Sequence, residues 1–277
     1  MSDIRKTLSG VGETVYDVLT DEEDARICDD IDEAACRERP LSFLLILASS
    51  FMTKLGDALS SPKTTLAWAV TAVGAPAFVL GFLVPIRESG SMIPQLFIGS
   101  YIRQLAVRKW VWVAGSVVQF LAVTGMGLAV LWLEGAAAGW ALLALVTLFS
   151  LARGFCSVAA KDVMGKTIPK PKRGQLTGWS ASLAGAVAIG VGIVLMMPSD
   201  GRLGEATLGL LLILAGVLWL LAALVYAQVP EQPGETGGAR NAAEALRQLR
   251  LLATDRDEYP LLDVRRIVLG DLPSEGA

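Results

Sequence analysis

Long apolar stretches, separated by short polar segments, dominate this chain from about residue 41 to residue 229. The first begins at Leu41 with LSFLLILASSFM, and four more cover 110–133, 138–160, 176–197 and 206–228 with few or no charges. A helix needs about 20 predominantly apolar residues to cross a bilayer. The pattern therefore predicts an all-α fold, a polytopic membrane helix bundle.

The region between the first stretch and residue 110 allows two positions for one further span. Hydropathy alone favours 64–85, which leaves RESGSMIPQ as a loop. The alternative is 75–99, which places Arg87, Glu88 and Gln95 inside the membrane. Either position gives about six transmembrane helices in all.

Composition supports a membrane protein and removes several other classes. Of 277 residues 53% are hydrophobic, and the mean hydropathy of +0.53 leaves too little polar surface for an ordinary soluble domain. The chain has no His, so the commonest metal ligand and the His-dependent catalytic arrangements are missing. No Lys/Arg run is interleaved with aromatics, so we expect no nucleic-acid partner. We also expect no metal, no cofactor and no enzymatic activity.

The cysteines point to a reducing environment. Cys28, Cys36 and Cys156 are expected to be free thiols, although Cys28 and Cys36 could bridge or bind a metal with outside help.

Lys and Arg in the short loops predict the orientation. The region before the first span and the loops 103–109 and 161–173 are rich in them, whereas the opposite side has only Lys63 and Arg202. Positively charged loops stay in the cytoplasm, so both termini are expected there. The predicted organisation is a cytoplasmic segment over 1–40, a six-helix bundle over 41–229 and a cytoplasmic tail over 230–277.

Charged residues within the apolar stretches are the candidate functional groups, because a charge inside a membrane usually faces a cavity or a partner. Lys54 and Asp57 lie three residues apart on one helix face. They either neutralise each other and fix helix packing, or line a solute path. If 85–95 is helical, Glu88 and Gln95 also share a face, on a helix that Pro and Gly interrupt.

Several motifs resemble those of the major facilitator superfamily of transporters, over residues 41–230. The loop after the second span keeps Gly99 and the Arg108/Lys109 pair of the family's gate motif, but Arg103 replaces the usual Asp. LARGFCSVAA, with Arg153, is similar to an arginine motif of the fourth span.

The resemblance implies a function and a cellular location. The chain would be the N-terminal half of a secondary carrier in a bacterial inner membrane, moving an unidentified small solute by alternating access. Lys54, Asp57, Arg87, Glu88 and Gln95 would line its cavity. Because such carriers need two bundles, we expect a truncated product, inactive alone, or a half that pairs with another half or another copy. The alternative is a non-transporting scaffold or receptor.

Overall fold

The computed structural model describes residues 39–102, 104–196 and 204–234, with the backbone alone for residue 39 and for segments 93–101 and 194–196. The predicted N-terminal segment with Cys28 and Cys36, Arg103, and the tail beyond residue 234 lie outside the described residues. The described part is helical, without strands. Its helices are α1 Arg39–Leu59, α2 Thr65–Ala72, α3 Phe78–Ile102, α4 Lys109–Trp132, α5 Gly135–Thr167, α6 Lys170–Met196 and α7 Glu205–Tyr226.

Five of these helices, α1, α4, α5, α6 and α7, are long and apolar enough to cross a membrane. Large apolar side chains on the outside of the bundle, such as Leu121, Trp140 and Leu214, are more than half exposed. A soluble protein rarely leaves so much apolar surface in water. The described fold is therefore a helical membrane bundle.

The first helix stops deep inside the bundle. Pro62 lies in the break between α1 and α2, where its missing N–H and its ring prevent a continuous helix. The chain then reaches Val73, whose carbonyl accepts a 2.7 Å hydrogen bond from Gly135 N at the start of α5. Asp57, in the last turn of α1, contacts Arg153 on α5. Arg153 lies about 27 Å beyond Gly135 along the axis of α5, at ~1.5 Å per residue.

The break also bears on the two positions considered for a further span, although α3 is not among the five helices apolar enough to cross a membrane. The apolar stretch 64–85 is not one helix, because it is divided between α2 and α3 at a turn containing Gly74, whose φ is +66°. The alternative at 75–99 matches α3, which continues as a helix through Pro85 and Pro94. Ser150 on α5 holds α3 by donating to the carbonyls of Ile86 and Arg87 at 3.0 and 2.8 Å.

The loop predicted at 161–173 is mostly helical. α5 continues to Thr167, and α6 begins at Lys170, so only two residues connect them. Pro169 explains this compact connection, since a proline next to a helix start needs no backbone hydrogen bond there. The basic residues of this region therefore lie on the ends of two helices.

The long helices form a cleft. α4 packs extensively against both α5 and α7 and forms its floor with α7. α1, which packs on α7 and α6, makes one wall; α5, which packs on α4 and α3, makes the other. α1 and α5 scarcely contact each other directly, so the space between them remains open.

Small residues have opposite environments in two parts of the bundle. A Cβ on Gly127 of α4 would lie 2.6 Å from the carbonyl oxygen of Gly209 on α7, so glycine is what permits this close crossing. Glycines also recur along α6. In the structure a Cβ on Gly185, Gly190 or Gly192 would meet nothing within 4 Å.

Candidate functional site

A cluster of three charged side chains closes one end of the cleft. Asp57 of α1 accepts hydrogen bonds at Oδ1 from Arg87 of α3, at 2.7 Å, and from Arg153 of α5. The Asp57 carboxylate is 24% exposed and the Arg87 side chain only 7%, whereas the Arg153 side chain is 41% exposed. One carboxylate thus connects the two walls, and its two partners differ in their access to water.

Arg87 has a second role at the end of α1. Its second guanidinium nitrogen donates a 2.8 Å hydrogen bond to the carbonyl of Ser60, in the break after the helix. Carbonyls at a helix end have no partner within the helix and carry partial negative charge. Arg87 also lies 4.5 Å from the centre of the Phe149 ring. Its position is therefore fixed by an ion pair, a helix end and an aromatic face.

A cavity of about 330 Å³ extends from this cluster between α1 and α5, over the floor of α4 and α7. Trp112 and Tyr226, stacked with ring centres 3.9 Å apart, lie on its floor at the end of the bundle where the basic residues collect. Its charged lining residues are Lys54, Asp57, Arg153 and Lys161. The cavity combines apolar and aromatic surface with a few polar groups, as small-molecule sites do.

Lys54 and Asp57 do not pair with each other. Lys54 Nζ instead donates to the carbonyl of Thr177 at 2.8 Å and to Ser180 Oγ at 2.6 Å, both on α6. Among the described residues no carboxylate pairs with Lys54. The two residues that the sequence placed on one face of α1 therefore hold different neighbouring helices.

The remaining predicted cavity residues are distributed differently. Glu88 is exposed and does not line the cavity, although it interacts electrostatically with Arg87 and Arg153. Gln95 and Gly99 lie on α3 where only the backbone is described.

Two residues of the predicted gate motif, Arg108 and Lys109, form a second cluster at the other end of the cavity. Their backbone N–H groups donate to the carboxylate of Glu231 at 2.7–3.0 Å, and Lys166 Nζ adds a bond of 2.8 Å. The Glu231 side chain has no exposed surface. Lys109 Nζ reaches the carbonyls of Ala227 and Val229 at the end of α7.

The structure separates Arg153 from this gate cluster. Arg108 pairs with Asp162, which lies about 13 Å further along α5 than Arg153 at ~1.5 Å per residue. Arg153 therefore belongs with Asp57 and Arg87.

Sequence reasoning missed Glu231, Ser60 and Asp162. Glu231 follows Pro230 in an apparently ordinary polar segment, and its partners are more than 60 residues away. A backbone carbonyl such as that of Ser60 carries no signal in sequence at all. Residues up to Gly234, whose N–H donates to Ala106 O, pack on the bundle and so extend it beyond the predicted limit at 229.

In chemical terms the site places one carboxylate and several cations beside a cavity. No group of three or more His, Cys, Asp or Glu among the described residues could hold a metal ion. Comparisons with protein-family models, curated proteins and solved structures find no match to this chain.

Proposed function

We propose that this chain is one six-helix half of a secondary carrier, similar to the major facilitator superfamily, which moves a small solute by alternating access. The observation that carries this proposal is the Asp57–Arg87–Arg153 cluster at one end of a polar cavity. Charged groups deep in a membrane bundle are costly and typically belong to solute or ion pathways. A carboxylate that joins the two walls of a cleft is suited to couple charge to movement of those walls.

The proposal includes six membrane crossings. α1, the break and α2 together would form the first, which explains why α1 ends at mid-depth and Val73 reaches the start of α5. α3 would form the second despite Arg87 and Glu88, because Arg87 is neutralised inside the bundle. The end that carries Arg108, Lys166 and Glu231 would face the cytoplasm of a bacterium, in line with its excess of Lys and Arg.

The second half of the carrier would cover the cleft and α6. α6 packs mainly on α1, and its apolar side chains Leu183, Ile189 and Ile193 are 45–66% exposed. Lipid can cover such side chains, but it cannot complete a solute site between α1 and α5. A second bundle would do both, so the chain alone should not transport.

Cysteine labelling tests whether the cavity is a water-filled path. Cys28, Cys36 and Cys156 are first replaced by Ser, and a single cysteine is then introduced as Ser157→Cys in the cavity wall. A membrane-impermeant maleimide is added to inside-out and to right-side-out vesicles. We expect labelling from the cytoplasmic face, because the cavity extends toward the basic end.

Two matched positions control this experiment. Leu121→Cys lies on the outer, apolar face of α4 and should remain unlabelled because thiolate formation needs water. Glu134→Cys lies in the exposed connection between α4 and α5, at the end away from the basic residues, and should react from the opposite face. A Ser157→Cys variant that is unreactive from both faces would exclude a solute path and end the carrier proposal.

The alternative of a scaffold or receptor depends on segments 1–40 and 231–277 as interaction surfaces. Apart from residues 39–40 and 231–234, both segments lie outside the described residues, and no observation on the bundle favours this alternative. A pull-down with either segment as a soluble fragment remains its direct test.

A further inference from the structure

Among the described residues, the charges that line the cavity do not balance. Its lining carries three cations, Lys54, Arg153 and Lys161, and one carboxylate, Asp57. Asp57 is already shared with Arg87 behind the wall. Even with the exposed Glu88 counted on the acidic side, the described part of the site keeps an excess of positive charge.

We infer that the cavity recognises a small anionic solute, whose carboxylate or phosphate group lies between Lys54 on one wall and Arg153 on the other. This inference rests on the proposed carrier function and names the class of its substrate. Uncompensated charges inside a membrane protein need a counter-charge or water. An anionic solute supplies that counter-charge, so its charged group would bind between the two walls that carry these cations.

The hydrogen bonds already present leave donors for such a solute. Lys54 uses two of its three N–H donors, on Thr177 and Ser180. Arg153 donates one hydrogen bond to Asp57, and its side chain is 41% exposed toward the cavity. A guanidinium presents donors in a planar fork that matches a carboxylate or phosphate. Both cations are therefore held in place without being saturated.

The rest of the lining suggests an organic anion with an apolar body. Met164 is partly exposed in this lining, and the buried residues Trp112, Tyr226 and Trp219 form the apolar layer beneath it. A volume of about 330 Å³ lies at the small end of the range for ligand sites. Benzoate is thus a suitable probe, with benzamide as its neutral isostere and inorganic phosphate as an anion without an apolar body.

The experiment measures protection of Ser157→Cys from the maleimide in the full chain, reconstituted in lipid nanodiscs at constant ionic strength. We expect benzoate to slow labelling in a saturable manner and benzamide to leave it unchanged. Protection by phosphate as well would show that the anionic group suffices, and protection by benzoate alone would show that the apolar floor contributes. Either result supports an anion site.

Variants at Lys54 locate the effect. Lys54→Gln should raise the half-protecting benzoate concentration about 10-fold, the size expected for a charged hydrogen bond. Lys54→Arg, which keeps the charge, should stay within about 3-fold by the same reasoning. Lys63→Gln removes a lysine outside the cavity and should have no effect. Helical circular dichroism confirms that each variant is folded, and the wild-type comparison of benzoate with benzamide needs no variant at position 54.

Three results would overturn the inference: equal protection by benzamide and benzoate, no protection by either anion, or unchanged protection in folded Lys54→Gln. In each case Ser157→Cys still reacts, so the carrier proposal stands while the anion site fails. If Ser157→Cys does not react at all, the carrier proposal fails and the anion site fails with it.

Discussion

Two carboxylates in this bundle bind cations from distant parts of the chain, yet their surroundings differ. Glu231 at the basic end has no exposed surface and accepts bonds from two backbone N–H groups and from Lys166. Asp57 at the closed end of the cavity is 24% exposed and accepts from two arginine side chains. Glu231 is held by backbone that cannot move independently, whereas Asp57 is held by side chains that can.

The difference separates a structural carboxylate from one suited to conformational change. Glu231 stabilises the N-terminus of α4, where an anion interacts favourably with the helix dipole, and attaches the segment after α7 to it. Asp57 joins α1 to α3 and α5 across an open cleft. Loss of the Glu231 contacts should unfold part of the bundle, whereas loss of the Asp57 ion pairs should loosen the connection between α1 and α5 across the cleft.

The largest expected effect is that of Glu231→Ala. It removes the counter-charge of Lys166 and the acceptor of the Arg108 and Lys109 N–H groups, so the free energy of unfolding should fall by about 3–5 kcal/mol. Unfolding in mixed micelles with increasing SDS, followed by helical circular dichroism, measures this. Glu205→Ala, at an exposed position in the first turn of α7, is the control. A loss no larger than that control would show that Glu231 is not a structural anchor.

Arg87→Gln should come next, with a loss of about 2–3 kcal/mol. The Arg87 side chain is buried, and its removal leaves both the Ser60 carbonyl and Asp57 with weaker partners. The same SDS titration applies. If Arg87→Gln is neutral, the break between α1 and α2 does not depend on its guanidinium.

Asp57→Asn should cost less stability, about 1–2 kcal/mol, because Asn can still accept one hydrogen bond from Arg87. Its main effect should be on the cleft. Since α1 and α5 lose their ion pair, labelling of Ser157→Cys should become several-fold faster. The control is Glu88→Gln, since Glu88 is exposed and makes no ion pair among the described residues. If Glu88→Gln accelerated the labelling of Ser157→Cys as much as Asp57→Asn does, the effect would not be specific to the ion pairs of Asp57.

Arg153→Gln should have the smallest effect on stability, below about 1 kcal/mol. Its side chain is 41% exposed, and ion pairs open to water contribute little. The SDS titration measures the free energy of unfolding of Arg153→Gln, which is compared with that of Arg87→Gln. Equal losses for the two arginines would mean that both serve as structural partners of Asp57, and the proposed freedom of Arg153 to bind a solute would be lost.

The sequence by itself determined the membrane class and most helix positions, because a span requires a continuous apolar stretch of fixed length. It also identified Asp57, Arg87 and Arg153 as charges that need a partner. It could not assign those partners, since one residue to either side on a helix changes the direction of a side chain by about 100° at ~3.6 residues per turn.

Only the tertiary structure decided that Asp57 pairs with two arginines rather than with Lys54, three residues away on the same face. The same holds for the break after Ser60, which divides one apolar stretch between two helices. It holds as well for Glu231, whose carboxylate anchors the start of α4 although it lies 122 residues beyond Lys109 in the chain. The physical reason is common to all three: a short-range interaction between residues distant in the chain exists only after the helices have packed.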